Sequence, residues 1–275
     1  LNIPTLPVCV NRILGNFAHS LRIFLHREPL QNNRFKCILI SSMYVKVGLT
    51  MKNTSELIVM LTYNDCTVSN AAEIFEQCKE TRARFWGFKE QGIPFAEMQA
   101  LFARMKSCGK TTCLEVVSYT EEECLRGAQT AAACGCDYLM GTLYFDSVNA
   151  LCRKSGVRYM PFVGQVTGRP SVLHGTAEEM IRQAQRCLAK GAYGIDLLGY
   201  RYTGDGAALN RAFTAAVPGP VCIAGSVNSY ARLEELRQTA PAFFTIGSAF
   251  FDHAFGQDIP AQIDAVCRFM EAGHA

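Results

Sequence analysis

Residues Gly219–Asp252 read GPVCIAGSVNSYARLEELRQTAPAFFTIGSAFFD. Two short apolar runs, PVCIAG (Pro220–Gly225) and FFTIG (Phe243–Gly247), each lead into Gly-Ser, and an amphipathic segment separates them. A run that is apolar throughout, rather than alternating, predicts a strand of a parallel sheet covered on both faces. Tyr230–Gln238 predicts the helix that carries the chain from one strand back to the start of the next.

The same unit recurs upstream. ELIVMLT (Glu56–Thr62), RFWGF (Arg84–Phe88), TCLEVV (Thr112–Val117), DYLMG (Asp137–Gly141), VRYMPF (Val157–Phe162) and YGIDLL (Tyr193–Leu198) read as six more strands. Helical spacing of apolar residues appears over Ser69–Glu80, Phe95–Lys106, Glu121–Ala133, Ala177–Ala189, Ala207–Ala215 and Ala261–Glu271. Thr120 before Glu121–Glu123, and Thr176 before Glu178 and Glu179, are N-cap signals. Gly109, Gly135 and Gly191 stand where helices should stop. Alternating strand and helix implies right-handed crossovers and a parallel sheet. Eight units are the closing number of a single (β/α)8 TIM barrel, and about 250 residues is its usual size. An open doubly wound sheet is the competing architecture, but it calls for a Gly-rich turn after the first strand. Here Thr62-Tyr63-Asn64-Asp65 follows.

Residues 1–50 differ. They hold six of the 27 bases and one of the 24 acids, which leaves 21 bases and 23 acids for 51–275. This irregular basic extension could be a targeting segment or an arm for nucleic acid or membrane. The preferred expectation is upstream sequence ahead of a true start at Met51, with the barrel spanning 51–275. Peptides from before Met51 in the natural protein would overturn that. The slightly acidic barrel portion argues against nucleic acid as a partner. No apolar run reaches the ~20 residues of a membrane span.

The 13 cysteines fall largely inside apolar runs, where a reduced thiol behaves as a small hydrophobe. This usage points to a reducing, cytoplasmic compartment. Cys134 and Cys136 form a CxC with no second pair at zinc spacing, and His174, His253 and His274 do not pair at ligand spacing. No metal or cofactor is therefore expected, with a carboxylate-bound Mg²⁺ left open.

The two Gly-Ser turns are the sharpest local signal. Glycine admits close backbone approach, and helix N-termini offer free N–H groups to an anion. The competing reading is two tight turns with N-cap serines and no ligand. The string GPVCIAGSVNS, followed by AFFTIGSAFFD, resembles the ribulose-phosphate-binding barrels of the aldolase type over about residues 57–255. That resemblance implies a phosphate held by Gly225, Ser226, Gly247 and Ser248. It does not separate a phosphosugar from a flavin phosphate.

Chemistry in barrels sits at strand C-terminal ends. There the sequence places Asp65, Lys89, Glu115 and Asp196 as candidate catalytic groups, and Asn64, Gln165, His174 and Arg201 as candidate substrate or lid residues. Lys89 and Glu115 fall on neighbouring strands, so an ion pair is expected; a structural pair that only supports the barrel mouth is the alternative. Burial should draw the Lys89 pKa down. The segment Gly164–Gly175, with three glycines, Arg169 and His174, is a candidate lid. Many phosphosugar decarboxylases of the superfamily carry Asp-x-Lys-x-x-Asp on strand three, and class I aldolases often carry a lysine on strand six. This chain has Glu115 without a lysine in the first place, and Asp196 in the second.

The leading expectation is an isomerase, epimerase or lyase acting on a small phosphorylated sugar or related carbonyl compound, with Lys89 and a carboxylate moving a proton. A Schiff-base aldolase or condensing enzyme using Lys89 is one alternative, and a non-catalytic phosphometabolite-sensing barrel is the other. Barrels of this kind commonly dimerise, so a homodimer stays open.

Overall fold

The computed structural model describes residues 55–272. The expectations for 1–50 and for a start at Met51 lie outside them. Eight parallel strands close into a barrel: β1 (Glu56–Met60), β2 (Phe85–Lys89), β3 (Thr111–Ser118), β4 (Tyr138–Leu143), β5 (Arg158–Phe162), β6 (Ile195–Leu197), β7 (Val221–Ile223) and β8 (Phe243–Ile246). Each strand neighbours the next in sequence, and β8 pairs with β1 through Glu56↔Phe243 to Val59↔Ile246. The open-sheet alternative is thereby ruled out.

The surrounding helices are α1 (Ala71–Cys78), α2 (Phe95–Ser107), α3 (Glu121–Ala133), α4 (Asp146–Ser155), α5 (Ala177–Ala189), α6 (Gly206–Ala216), α7 (Tyr230–Thr239) and α8 (Ile259–Glu271), with a four-residue turn of helix at Ser248–Phe251. The cap signals act as the sequence suggests. Thr120 accepts from the Glu123 N–H at 3.4 Å, and Thr176 with Glu179 forms a reciprocal capping box. The sequence pattern did not announce α4, which is built from DSVNALCRKS with few apolar residues and Phe145 in place of a capping side chain. Its end is marked by Gly156, whose φ of 74° stops the helix in the left-handed region.

Strand alternation splits the core in two. Ile58, Met60, Cys113, Tyr138, Met140, Met160, Cys222 and Phe243 fill the barrel interior. A larger shell, with Trp86, Phe88, Leu114 and Leu139 on the outward faces, packs under the helices. Trp86 is fully buried and donates its indole N–H to the Ala83 carbonyl at 3.1 Å. Truncating such a side chain to alanine costs about 3–5 kcal/mol. The eleven described cysteines are free thiols, most of them buried. Burial pushes Cys78 and Cys152 up to about 12, so they act as packing rather than as nucleophiles. No helix among the described residues is long and apolar enough to cross a membrane.

Candidate active site

The interior face changes character at the C-terminal ends of β2 and β3. Lys89, the last residue of β2, lies directly opposite Glu115 in the β2–β3 ladder. A small hairpin, Thr62–Tyr63 paired with Cys66–Thr67, follows β1. Its tip residues Asn64 (φ 48°) and Asp65 (φ 65°) both occupy the left-handed region that a type I′ hairpin turn demands. Asn and Asp accept that conformation better than other non-glycine residues. Thr67 fastens the hairpin to β2: its hydroxyl donates to the Lys89 carbonyl at 2.7 Å and accepts from the Lys89 N–H at 3.0 Å. This brings the Asp65 carboxylate onto the Lys89 ammonium, while Glu115 Oε1 lies 3.6 Å from the same Nζ.

All three side chains are largely withdrawn from water, with exposures of 7% for Lys89, 12% for Asp65 and 16% for Glu115. Burial alone would lower the Lys89 pKa, but the Glu115 charge and the Asp65 hydrogen bond outweigh it and raise the pKa. The downward shift read from the sequence is thus corrected. Two carboxylates stabilise the charged form more than desolvation penalises it, so Lys89 rests as an ammonium.

Asp196 sits in β6, opposite Phe162 and Cys222, with an exposure of 1%. Neither carboxyl oxygen has a hydrogen-bond partner. Burial, and then the nearby Glu115 charge, push its pKa well above the ordinary carboxylate value. Burial thus favours the protonated form of Asp196 beneath the cluster, and the residue does not line the open cavity.

A cavity of about 230 Å³ opens above Lys89 and Glu115. Its far wall is made by Gly225, Ser226, Gly247 and Ser248, so both Gly-Ser turns reach it. Gly225 (φ 79°) and Ser226 (φ 56°) are successive left-handed residues. Arg232 of α7 braces this turn by donating to the Ser226 carbonyl and to Asn228 Oδ1, the latter at 3.0 Å. A Cβ on Gly225 would fall 2.8 Å from Cγ of Arg201, whose side chain lies flat over the turn. Gly247 is needed for another reason: a Cβ there would meet the Thr62 hydroxyl at 2.5 Å. Arg201 enters the cavity from the loop after β6, and no carboxylate of the described residues lies within ion-pair distance of it.

The cavity thus gathers Asp65, Lys89, Glu115, Arg201 and the four Gly-Ser residues. It does not gather Asn64, Gln165 or His174. Asn64 is exposed at the hairpin tip. Gln165 and His174 belong to a second hairpin, Gln165–Thr167 with Val172–His174, where His174 Nε2 pairs with the Thr167 hydroxyl at 3.1 Å. The segment read as a loop lid is this packed hairpin. Tyr119 holds its tip by donating to the Gly168 carbonyl at 2.9 Å, and Arg169 donates to the Val117 carbonyl. Sequence reading passed over Thr245, Asn228 and Asp252, which also line the cavity. Asn228 and Asp252 stand close to the Gly-Ser pairs and could have been found by that proximity. No group of three or more metal-ligating side chains occurs among the described residues.

Solved structures share this architecture. An N-(5'-phosphoribosyl)anthranilate isomerase from Pyrococcus furiosus superposes with a TM-score of 0.55 at 12% identity, covering 79% of this chain and 99% of that one. Tryptophan synthase from M. tuberculosis, in a ligand-free form, gives 0.58 at 14% identity, covering 84% and 98%. A 4-hydroxy-2-oxoglutarate/2-dehydro-3-deoxyphosphogluconate aldolase gives 0.54 at 16%, covering 78% and 94%. What the chain shares with them is the closed eight-stranded α/β barrel. No family model and no curated protein sequence matches the chain. At these identities the aldolase-type likeness speaks for the fold, and the chemistry must be argued from the side chains.

Proposed function

We propose that this aldolase-type barrel is an enzyme that moves a proton on a small phosphorylated carbonyl compound, in the manner of an isomerase or epimerase. The observation that carries the reading is one cavity with two unlike parts. One part holds Lys89 between two carboxylates, and the other holds Arg201 against the Gly225 turn, with Gly247 and Ser248 lining the same cavity. The phosphate belongs beside Arg201, because that guanidinium has no carboxylate within ion-pair distance among the described residues, whereas Asp65 and Glu115 face Lys89; Asp252 is the carboxylate near the Gly-Ser turns that the anion must avoid. Guanidinium and turn N–H groups suit it.

Anchoring there sets the carbonyl oxygen toward the Lys89 ammonium. Glu115 or Asp65 then takes the proton from the adjacent carbon, the C–H electron pair moves into the carbonyl, and Lys89 holds the resulting enolate oxygen. Return of the proton to the other face gives an epimer. Return to the neighbouring carbon, with transfer of the hydroxyl proton, gives an isomer. A lyase would use the same enolate, formed by breaking a carbon–carbon bond instead. The Schiff-base alternative requires a neutral Lys89, and the raised pKa of that group disfavours it.

A thermal-shift comparison of phosphorylated carbonyl compounds with their unphosphorylated counterparts tests the binding half. Only the phosphorylated members should raise the melting temperature, and Ser226→Asp with Ser248→Asp should abolish the rise. Equal stabilisation by both series would end the phosphate reading. Deuterium uptake from solvent into the best-binding compound, lost in Lys89→Met and in whichever of Glu115→Gln and Asp65→Asn removes the base, is the expected sign of proton transfer. Borohydride trapping of a Lys89 adduct during turnover would replace it with the imine mechanism.

A further inference from the structure

Strand β4 is irregular in register beside Glu115 of β3. The β3–β4 register shifts between Glu115 and Ser118, and the β4–β5 register shifts between Met140 and Leu143. Gly141 lies inside the second irregularity with φ of 88°, a conformation that L side chains rarely adopt. A Cβ built there would stand 2.9 Å from Cγ of Glu115 and 3.0 Å from the Val116 carbonyl oxygen. The Glu115 side chain therefore passes across the bare Cα of Gly141 on its way to Lys89. Bulges of this kind re-aim side chains next to active sites.

We propose that Gly141 is a positioning residue: the gap left by its missing side chain steers the Glu115 carboxylate onto the Lys89 ammonium. Gly141 itself touches no reacting group. The proposal deepens the reading given above only in treating the Lys89–Glu115 pair as catalytic. Its test uses no substrate, so failure of either reading leaves the other standing.

The Lys89 side chain is followed by NMR against pH in full-length protein carrying labelled lysine, with Lys89→Arg assigning the signal. In Gly141→Ala, Glu115 is displaced, and the acid dissociation constant of Lys89 should rise about tenfold or more, since an opposite charge at this range shifts a pKa by one to three units. Glu115→Gln should give a similar rise, and the double variant no further one. Gly109→Ala is the control for backbone strain alone, because Gly109 has a φ of 72° and nothing within 4 Å of a Cβ. It should leave Lys89 unmoved. An unchanged Lys89 titration in folded Gly141→Ala, or a shift that adds fully to that of Glu115→Gln, overturns the proposal.

Folding itself supplies a second test. The stability lost by Gly141→Ala should be smaller in a Glu115→Ala background, where the crowded Cγ is gone. Equal losses in both backgrounds, or failure of Gly141→Ala to fold in either, would make Gly141 a backbone requirement only.

Discussion

The two ends of the barrel carry ion pairs of similar make and different consequence. At the strand N-termini, Arg84 pairs with Glu56 across β1 and β2, with side-chain exposures of 69% and 29%. At the other end, Lys89 of β2 meets Asp65 of the hairpin after β1 and Glu115 of β3, at exposures of 7%, 12% and 16%. Water screens the lower pair and leaves it worth little. Excluded from the upper cluster, water cannot replace a lost partner, so each charge depends on the others. The difference explains why one end can be a mere rim while the other can hold a proton donor and acceptor in contact. It also sets the order of the expected effects.

The largest belongs to Lys89. Lys89→Met keeps the bulk but strands two carboxylates in a partly dry site, and removal of one member of a buried pair typically costs about 3–5 kcal/mol. Denaturant unfolding at neutral pH measures it. Adding Asp65→Asn should return part of the loss, since neighbours in one network are not additive. A loss below ~1 kcal/mol would mean that the upper cluster is no more coupled than the lower pair.

Asp196 gives a smaller, pH-dependent effect. Its folded pKa is raised, so its contribution to stability is fully present below the unfolded carboxyl value near pH ~4 and is lost as pH rises toward the folded value. The charged groups that set this are Glu115 and Lys89, and Cys113 and Cys222 are buried neutral thiols beside it. Asp196→Asn mimics the protonated form. The variant should match the parent in stability near pH ~4 and exceed it progressively toward neutrality. Parallel stability curves for the two proteins would show that Asp196 ionises freely, and would remove the neutral acid from beneath the cluster.

These residues also mark how far the sequence could be read. The barrel was legible because eight buried strands leave eight nearly continuous apolar runs, and caps such as Thr176 leave their own marks. Helix α4 was not, since the face it buries offers only Val148, Asn149 and Cys152. Lys89 and Glu115 could be paired from neighbouring strands alone. That Asp65 joins them depends on a two-residue hairpin arm too short to carry a period, although Asn64-Asp65 is itself a turn signal. The direction of the Lys89 shift is not legible in the sequence, because it depends on whether the approach of Glu115 and the Asp65 hydrogen bond outweigh burial, and that balance is set by three-dimensional distances. Gly141 stood in plain sight as a glycine ending an apolar run, a recognised mark of a bulge. What it makes room for is a property of the neighbouring strand.

The smallest expected effect returns to the lower rim. Arg84→Met removes the charge while keeping most of the stem, which lies near the Phe85 ring with the guanidinium carbon 6.0 Å from its centroid. The lost interaction is a mostly exposed pair, so stability should fall by about 1 kcal/mol or less. Raising the salt concentration should shrink even that difference, because exposed charges are screened within roughly 10 Å at 0.1 M ionic strength. Lys89→Met, measured beside it, should keep most of its penalty in the same salt, since its partners are shielded from the counterions. If Arg84→Met matched Lys89→Met in size and in salt response, burial would not be what separates the two ends. The case for Lys89 would then rest on its place in the cavity alone.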